Sequence, residues 1–176
     1  MAKASKAAKS SSRLDTPTDL SGNATPEIAQ ALNGLLADAF TLYLKTKNFH
    51  WHVSGPHFRS YHLLFDEQAA EIYATTDELA ERVRKIGGKT LHSIGEIGKL
   101  SSLKDNNKDF VSANDMLQEL MADTKTVIRN MRAAHEVADK HDDIATASIL
   151  ENFIDAAEKR HWFLFEASRS GDGSGH

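Results

Sequence analysis

The sequence predicts an all-α protein, a bundle of four long helices with one long crossover between the second and the third. Three observations predict it. Apolar residues recur at spacings of three and four through four stretches, each long enough for a helix of roughly 40 Å at 1.5 Å per residue. No stretch alternates apolar and polar residues as a half-buried strand does, and no repeat of 20 to 50 residues appears. The connection over residues 87–111 is long enough to cross the whole bundle.

The chain starts with a basic segment. Lys3, Lys6, Lys9 and Arg13 come without an acid in the first 13 residues, so the total charge of −4 leaves the other 163 residues at −8. Residues 1–24 are rich in Ala and Ser, lack an apolar stripe and read as a disordered basic tail. They lack the apolar centre of a secretory signal, although a Ser-rich, acid-poor start also resembles an organelle transit peptide. Thr25 is expected to cap the first helix, with Pro26 and Glu27 suited to its first turn. Its core stripe is Ile28, Leu32, Leu35, Ala39, Tyr43, Thr46 and His50. Ser54-Gly55-Pro56 breaks the pattern. A second helix is expected from about Phe58 to Ile86, with a stripe of Tyr61, Phe65, Ala69, Ile72, Thr76, Leu79, Val83 and Ile86, and Gly87-Gly88 stops it.

The crossover is expected to hold one short helix near Ser93 to Leu100. Ser112 and Asp115 resemble a capping box using Asp, opening a third helix through Met116, Leu120, Thr124, Val127, Met131 and Ala134 that frays near Asp139 to Asp143. The fourth helix carries Ile144, Ala147, Leu150, Ile154, Ala157, His161 and Leu164 to about Ser168. Residues 25–169 therefore read as one domain matching a ferritin-like four-helix bundle, and residues 170–176 as a flexible C-terminal tail.

Composition excludes several chemistries. Without cysteine there are no disulfides, thiolate iron sites or thiol nucleophiles, so any metal must take nitrogen or oxygen ligands. The longest run of large apolar residues, Trp162 to Phe165, is far short of the ~20 needed to span a bilayer, so a soluble chain is expected. Gly87-Gly88 and the Gly95 and Gly98 pair match no phosphate-binding loop.

The chemistry falls on the second helix, where His62, Asp66, Asp77 and Glu81 lie off the core stripe and share a lateral face. Each of the pairs His62/Asp66 and Asp77/Glu81 has the i,i+4 spacing that points two side chains at one ion. A solvated charged face is the competing reading. Asp66 and Asp77 are about 16 Å apart along the axis, so one chain holds half-sites only. The two pairs are symmetric about a point between residues 71 and 72. Two copies of the helix packed antiparallel about a two-fold axis there would bring His62 level with Glu81 of the other copy, and Asp66 with its Asp77. His50, a short turn before, can join the His62 and Asp66 half. A mixed imidazole and carboxylate set suits iron(II), and zinc or manganese also fits.

The stretches Lys47-Asn48-Phe49-His50-Trp51, Gly55-Pro56-His57-Phe58, His62 through Gln68, and Asp77 through Arg82 resemble the signature of the Dps family, the DNA-binding proteins from starved cells. The resemblance implies a hollow shell of twelve subunits built from two-fold dimers. It implies ferroxidase sites shared between subunits, iron mineral in the cavity, and often DNA binding. Carried over by position, His50, His62 and Asp66 come from one chain and Asp77 and Glu81 from its two-fold partner as the ligands of a di-iron site. The implied reaction is oxidation of iron(II), preferably by hydrogen peroxide, with oxygen as the other acceptor. A bacterial, cytoplasmic and nucleoid-associated protein is implied, with Lys3, Lys6, Lys9 and Arg13 as the candidate DNA-binding residues.

Other residues carry narrower expectations. Trp51 is read as either a local electron donor that quenches radicals or an aromatic of the core or an interface, and Trp162 as core. Glu158 and His161 have the Glu-x-x-His spacing of an in-chain di-iron site, but no second such motif exists. The remaining histidines, His52, His57, His92, His135, His141 and His176, are read as surface or structural. Ser148 stands where an acid is expected at a three-fold pore, and Asp139, Asp142, Asp143 and Glu151 are close enough in sequence to form a negative funnel or a solvated helix end. The alternative function is a nucleoid-binding or metal-sequestering shell without significant ferroxidase activity.

Overall fold

In the computed structural model, which describes residues 14–169, one short and four long helices follow in the expected order. They are α1 (Ala24–His52), α2 (Phe58–Lys85), α3 (Ile94–Leu100), α4 (Ala113–Lys140) and α5 (Ile144–Ser168). No strand occurs among the described residues. The four basic residues of the expected tail and the final seven residues lie outside that range.

Helices α1 and α2 form one antiparallel hairpin and α4 and α5 a second, and α1 packs on α4 to close the bundle. The core between them includes Leu32, Phe49, Phe65, Leu79, Met116, Leu120, Leu150 and Leu164, all nearly or fully buried. Where Thr25 was expected to cap α1, Asn23 occupies that position without a side-chain bond. The Thr25 hydroxyl instead donates to the Ile86 carbonyl (2.8 Å), tying the start of α1 to the end of α2.

The helix ends follow local chemistry. Ser112 accepts the Asp115 N–H (3.2 Å) and donates to the Asp115 carboxylate (2.7 Å), so the expected cap of α4 forms. At the end of α2, the Gly88 N–H returns to the Val83 carbonyl and the Gly87 N–H to that of Arg84, a Schellman closure with Gly87 at φ +85°. A Cβ on Gly87 would stand 2.8 Å from the Thr16 carbonyl, so residues before α1 lie against this turn. The fraying expected over 139–143 does not occur. The same closure ends α4, with Asp142 in the left-handed region at φ +55° and the Asp143 N–H returning to Ala138. Asp143, expected in a surface funnel, is buried: it caps α5 at Thr146 and takes Arg82 from α2 at 2.5 Å.

Two buried polar nodes fix the crossover and the hairpins. Asp38 on α1 accepts from the Ser101 hydroxyl, from the Ser102 amide and hydroxyl, and from Asn130 on α4. Lys45 on α1 reaches Glu119 (3.0 Å) and Asp123 (2.6 Å) on α4. Burial pulls the Lys45 ammonium down, but its two carboxylates outweigh that and raise it. Burial, joined by the neighbouring Glu119 and Asp38 carboxylates, raises Asp123 against the lowering effect of Lys45. The pair thus repays desolvation only in part, and is expensive chiefly to break.

Two residues of the expected fourth-helix stripe and core lie outside. Ile144, at the first position of α5, is 80% exposed, and Trp162 is 58% exposed. Trp162 is two residues from both Arg160 and Leu164, which are buried, so it points to the opposite side of the helix.

Candidate metal centre

The last turn of α1 and the first turn of α2 meet across the tight connection of residues 53–57, where Gly55 sits at φ +111°. There His50 and His62 lock each other. The His50 Nδ1–H donates to the His62 carbonyl (2.7 Å), and the His62 Nδ1–H donates to the His50 carbonyl (2.9 Å). A carbonyl only accepts, so both rings carry their proton on Nδ1 and keep the Nε2 lone pair when neutral. The rings stack with centroids 3.8 Å apart and 23° between planes, and Phe58 leans on His62 at 5.0 Å. Holding one ring nitrogen on a backbone carbonyl and leaving the other for a cation is the arrangement of metal-binding histidines.

Asp66, one turn along α2, stands 3.8 Å from the His50 Nε2 through its Oδ1. The same oxygen takes the Lys47 ammonium at 2.7 Å. That hydrogen bond holds the Asp66 carboxyl below the usual carboxylate range, against the smaller opposing effect of desolvation. The carboxylate is therefore ionised and ready for a cation, with a lysine as its present partner.

The structure sets His50 beside His62 and within 3.8 Å of Asp66, without converging the three on one point, and leaves Asp77 and Glu81 apart from them on α2. Both are exposed. Glu81 pairs with Lys85 (3.0 Å), and Asp77 makes no hydrogen bond or ion pair with the described residues. Among the described residues of a single chain, no three His, Asp or Glu side chains converge into a metal-holding group. The surface of α2 that carries the two pairs also exposes Leu63, Ala70, Tyr73 and Ala74.

Trp51 is 58% exposed, with the Lys47 ammonium 5.8 Å from its ring centre, so it is no core residue of this chain. The Glu158 and His161 motif does not assemble a site, because Glu158 is paired with Arg132 of α4. Sequence reasoning assigned no role to Lys47 and missed the crossed histidine bonds. A lysine one turn before His50 was the only available signal for the first. Backbone carbonyl partners leave no mark in a sequence.

Comparison with known proteins agrees with this architecture. Residues 29–168 match the family described as ferritin-like domain. The chain is 35% identical over 137 residues to the DNA protection during starvation protein of Brevibacillus brevis, an alignment covering 78% of this chain and 91% of that protein. It is 36% identical over 138 residues to an uncharacterized low temperature-induced protein of Nostoc sp., covering 78% and 77% respectively. Among solved structures, Dps from Thermosynechococcus elongatus has a TM-score of 0.82 at 31% identity, covering 86% of this chain and 96% of that one.

Proposed function

Because the chain belongs to the Dps family of ferritin-like proteins, we propose that it oxidises iron(II) at sites shared between two copies. The iron(III) product is stored inside a shell of twelve chains. The observation that carries this reading is the crossed pair of histidine bonds, which aims two Nε2 ligands beside an ionised Asp66. Asp77 and Glu81 of a second copy supply the missing carboxylates, so that His50, His62 and Asp66 from one chain face Asp77 and Glu81 from the other.

The exposed face of α2 supports that pairing. About a two-fold axis between residues 71 and 72, the bulky Tyr73 falls level with the small Ala70 of the other copy, and the apolar Leu63, Tyr73 and Ala74 leave water together. Iron is the substrate here. Carboxylates neutralise the two cations, and the two imidazoles, fixed through Nδ1, hold them while leaving positions open to oxidant and water. One hydrogen peroxide takes one electron from each of two iron(II) ions and ends as water. Hydrolysis of iron(III) to oxyhydroxide then releases protons, and no hydroxyl radical leaves the site. Trp51, exposed and next to His50, is placed to give up an electron if one forms.

The Asp66 and Lys47 pair has a part in this cycle. An arriving dication competes with the ammonium for one carboxylate oxygen, and its double charge favours the exchange. DNA association is assigned to Lys3, Lys6, Lys9 and Arg13, which supply four positive charges per chain on an otherwise acidic body. Many weak tails on one shell act together, and their affinity falls steeply with salt. A cytoplasmic, nucleoid-associated location follows from this reading. No described helix is long and apolar enough to cross a membrane.

Size-exclusion chromatography with light scattering, before and after iron(II) and peroxide, tests the proposal. A dodecameric mass with iron retained in the same peak is the expected result. Assembly without faster oxidation than in protein-free buffer would leave only the sequestering shell. A chain lacking residues 2–13 should keep mass and oxidation but lose DNA retardation at low salt, and equal retardation would move the DNA surface elsewhere.

A further inference from the structure

Tyr73 stands on the ligand face of α2, one turn before Asp77. The two are about 6 Å apart along the helix axis and about 40° apart around it, and both line one groove of about 650 Å³ between α1, α2 and the crossover. The ring is held from behind by α1. Tyr43 packs on it with centroids 4.9 Å apart and 42° between planes, and Phe40 meets it edge-on at 6.4 Å. Tyr73 nevertheless stays 53% exposed, so a fixed ring is presented on the surface that carries Asp77. Packing on Tyr43 and Phe40 needs only the ring. The phenol adds an electron and a proton that can leave together.

Peroxide takes two electrons to become water, and one iron(II) supplies one. A site that has filled with a single iron therefore needs a second donor, or the broken O–O bond leaves a hydroxyl radical. Across the proposed two-fold axis each shared site has an aromatic on either side, Trp51 beside His50 from the histidine half and Tyr73 beside Asp77 from the carboxylate half. An indole that loses an electron becomes a cation, and the Lys47 ammonium lies 5.8 Å from the centre of the Trp51 ring, so repulsion makes that loss harder. A phenol that loses an electron and its proton ends neutral and meets no such cost.

We propose that Tyr73 is the one-electron donor to half-filled iron sites, a role that rests on the shared site argued above. One iron(II) gives one electron and becomes iron(III). The Tyr73 phenol gives one electron and its proton and becomes a neutral phenoxyl radical. With one further proton from water, the O–O bond of hydrogen peroxide breaks and both oxygens end as water. The unpaired electron then stays on a ring braced by Tyr43 and Phe40 instead of leaving as hydroxyl radical.

Freeze-quench electron paramagnetic resonance of the intact protein, given one iron(II) per site and then hydrogen peroxide, provides the test. Wild type should show a tyrosyl radical. Tyr73→Phe keeps the ring and loses the phenol, so it should lose the signal and release hydroxyl radical to a spin trap, while Trp51→Phe keeps the signal. The chain has three tyrosines, so Tyr43→Phe/Tyr61→Phe leaves Tyr73 alone and should keep the radical too, which locates it even if Tyr73→Phe fails to assemble. An undiminished tyrosyl signal in Tyr73→Phe, or its loss in Tyr43→Phe/Tyr61→Phe, overturns the proposal. Iron oxidised by wild type without a tyrosyl radical also overturns it and leaves the shared site standing. A wild type that oxidises iron no faster than protein-free buffer overturns the iron reading, and the donor with it.

Discussion

At the start of α2, His62 and Asp66 are engaged before any metal arrives, the histidine crossed with His50 and the carboxylate held by Lys47. Three turns later, Asp77 has no hydrogen-bond or ion-pair partner among the described residues, and Glu81 pairs with Lys85 on its own helix. Two ligand pairs with the same spacing thus have opposite environments. The first is built into the fold, because its ring nitrogens close the end of a helix hairpin. The second is exposed and has no hydrogen bond or ion pair to another element among the described residues, so it can be removed with little effect on the bundle. The shared site proposed above would then have its rigid half in one molecule and its exposed, charged half in the other.

The widest gap between the halves should open on mutation of the exposed one. Asp77→Ala/Glu81→Ala is expected to slow iron(II) oxidation by about 100-fold or more, since even supporting residues of metal sites contribute 10- to 100-fold. Shell mass and circular dichroism should stay as in wild type. Stopped-flow absorbance of iron(III) reads the rate, and unchanged kinetics would remove these residues from the site.

Recovery comes next in size. His50→Ala/His62→Ala chains unfolded and reassembled with Asp77→Ala/Glu81→Ala chains should regain about a quarter of the wild-type sites. Half of randomly formed dimers are mixed, and each has one intact site of two. Mixed dimers, verified by mass, that stay inactive would mean that one chain contributes all ligands.

Stability should separate the halves without reference to iron. His62→Ala removes one of the crossed bonds and leaves the His50 carbonyl unpaired, so unfolding free energy should fall by about 1 to 2 kcal/mol. Asp77→Ala should change it by less than about 0.5 kcal/mol. Denaturant melts at matched protein concentration compare them, and equal losses would contradict the distinction drawn between the two ends.

The smallest effect concerns Asp66. Its carboxyl is depressed by Lys47, so its contribution is present above the unfolded value and fades only as pH drops through the lower folded one. Lys47→Ala should move that midpoint up toward the ordinary carboxylate range, read by carboxyl-carbon NMR. A midpoint that does not move would mean that the ammonium is not what sets it.

Most of the fold was legible because helix periodicity, capping residues and Gly87-Gly88 all act locally. The connection length over residues 87–111 announced the crossover, and Ser112 with Asp115 marked the start of α4. What failed was long-range. Thr25 left its cap for the Ile86 carbonyl of another helix, and Asp143 left the surface for Arg82. Trp162 was misjudged because size and apolarity were given more weight than its phase relative to Leu164. In the site, the residue types and their one-turn spacing were legible. The Nδ1 bonds to carbonyls and the hold of Lys47 on Asp66 were not, because each joins side chains to atoms that the sequence does not order.

Lys45 gives the bundle a property that reaches beyond its own contacts. Glu119 and Asp123 form a partly buried acidic pair at one-turn spacing on α4, and the buried ammonium of Lys45 on α1 already pairs with both. A cation arriving there would have to evict a tethered, buried one. That leaves the proposed catalysis as the property of a pair of chains. Diluting the protein until pairs separate should therefore silence oxidation in every molecule while leaving each one folded, so that enzyme activity reports association directly.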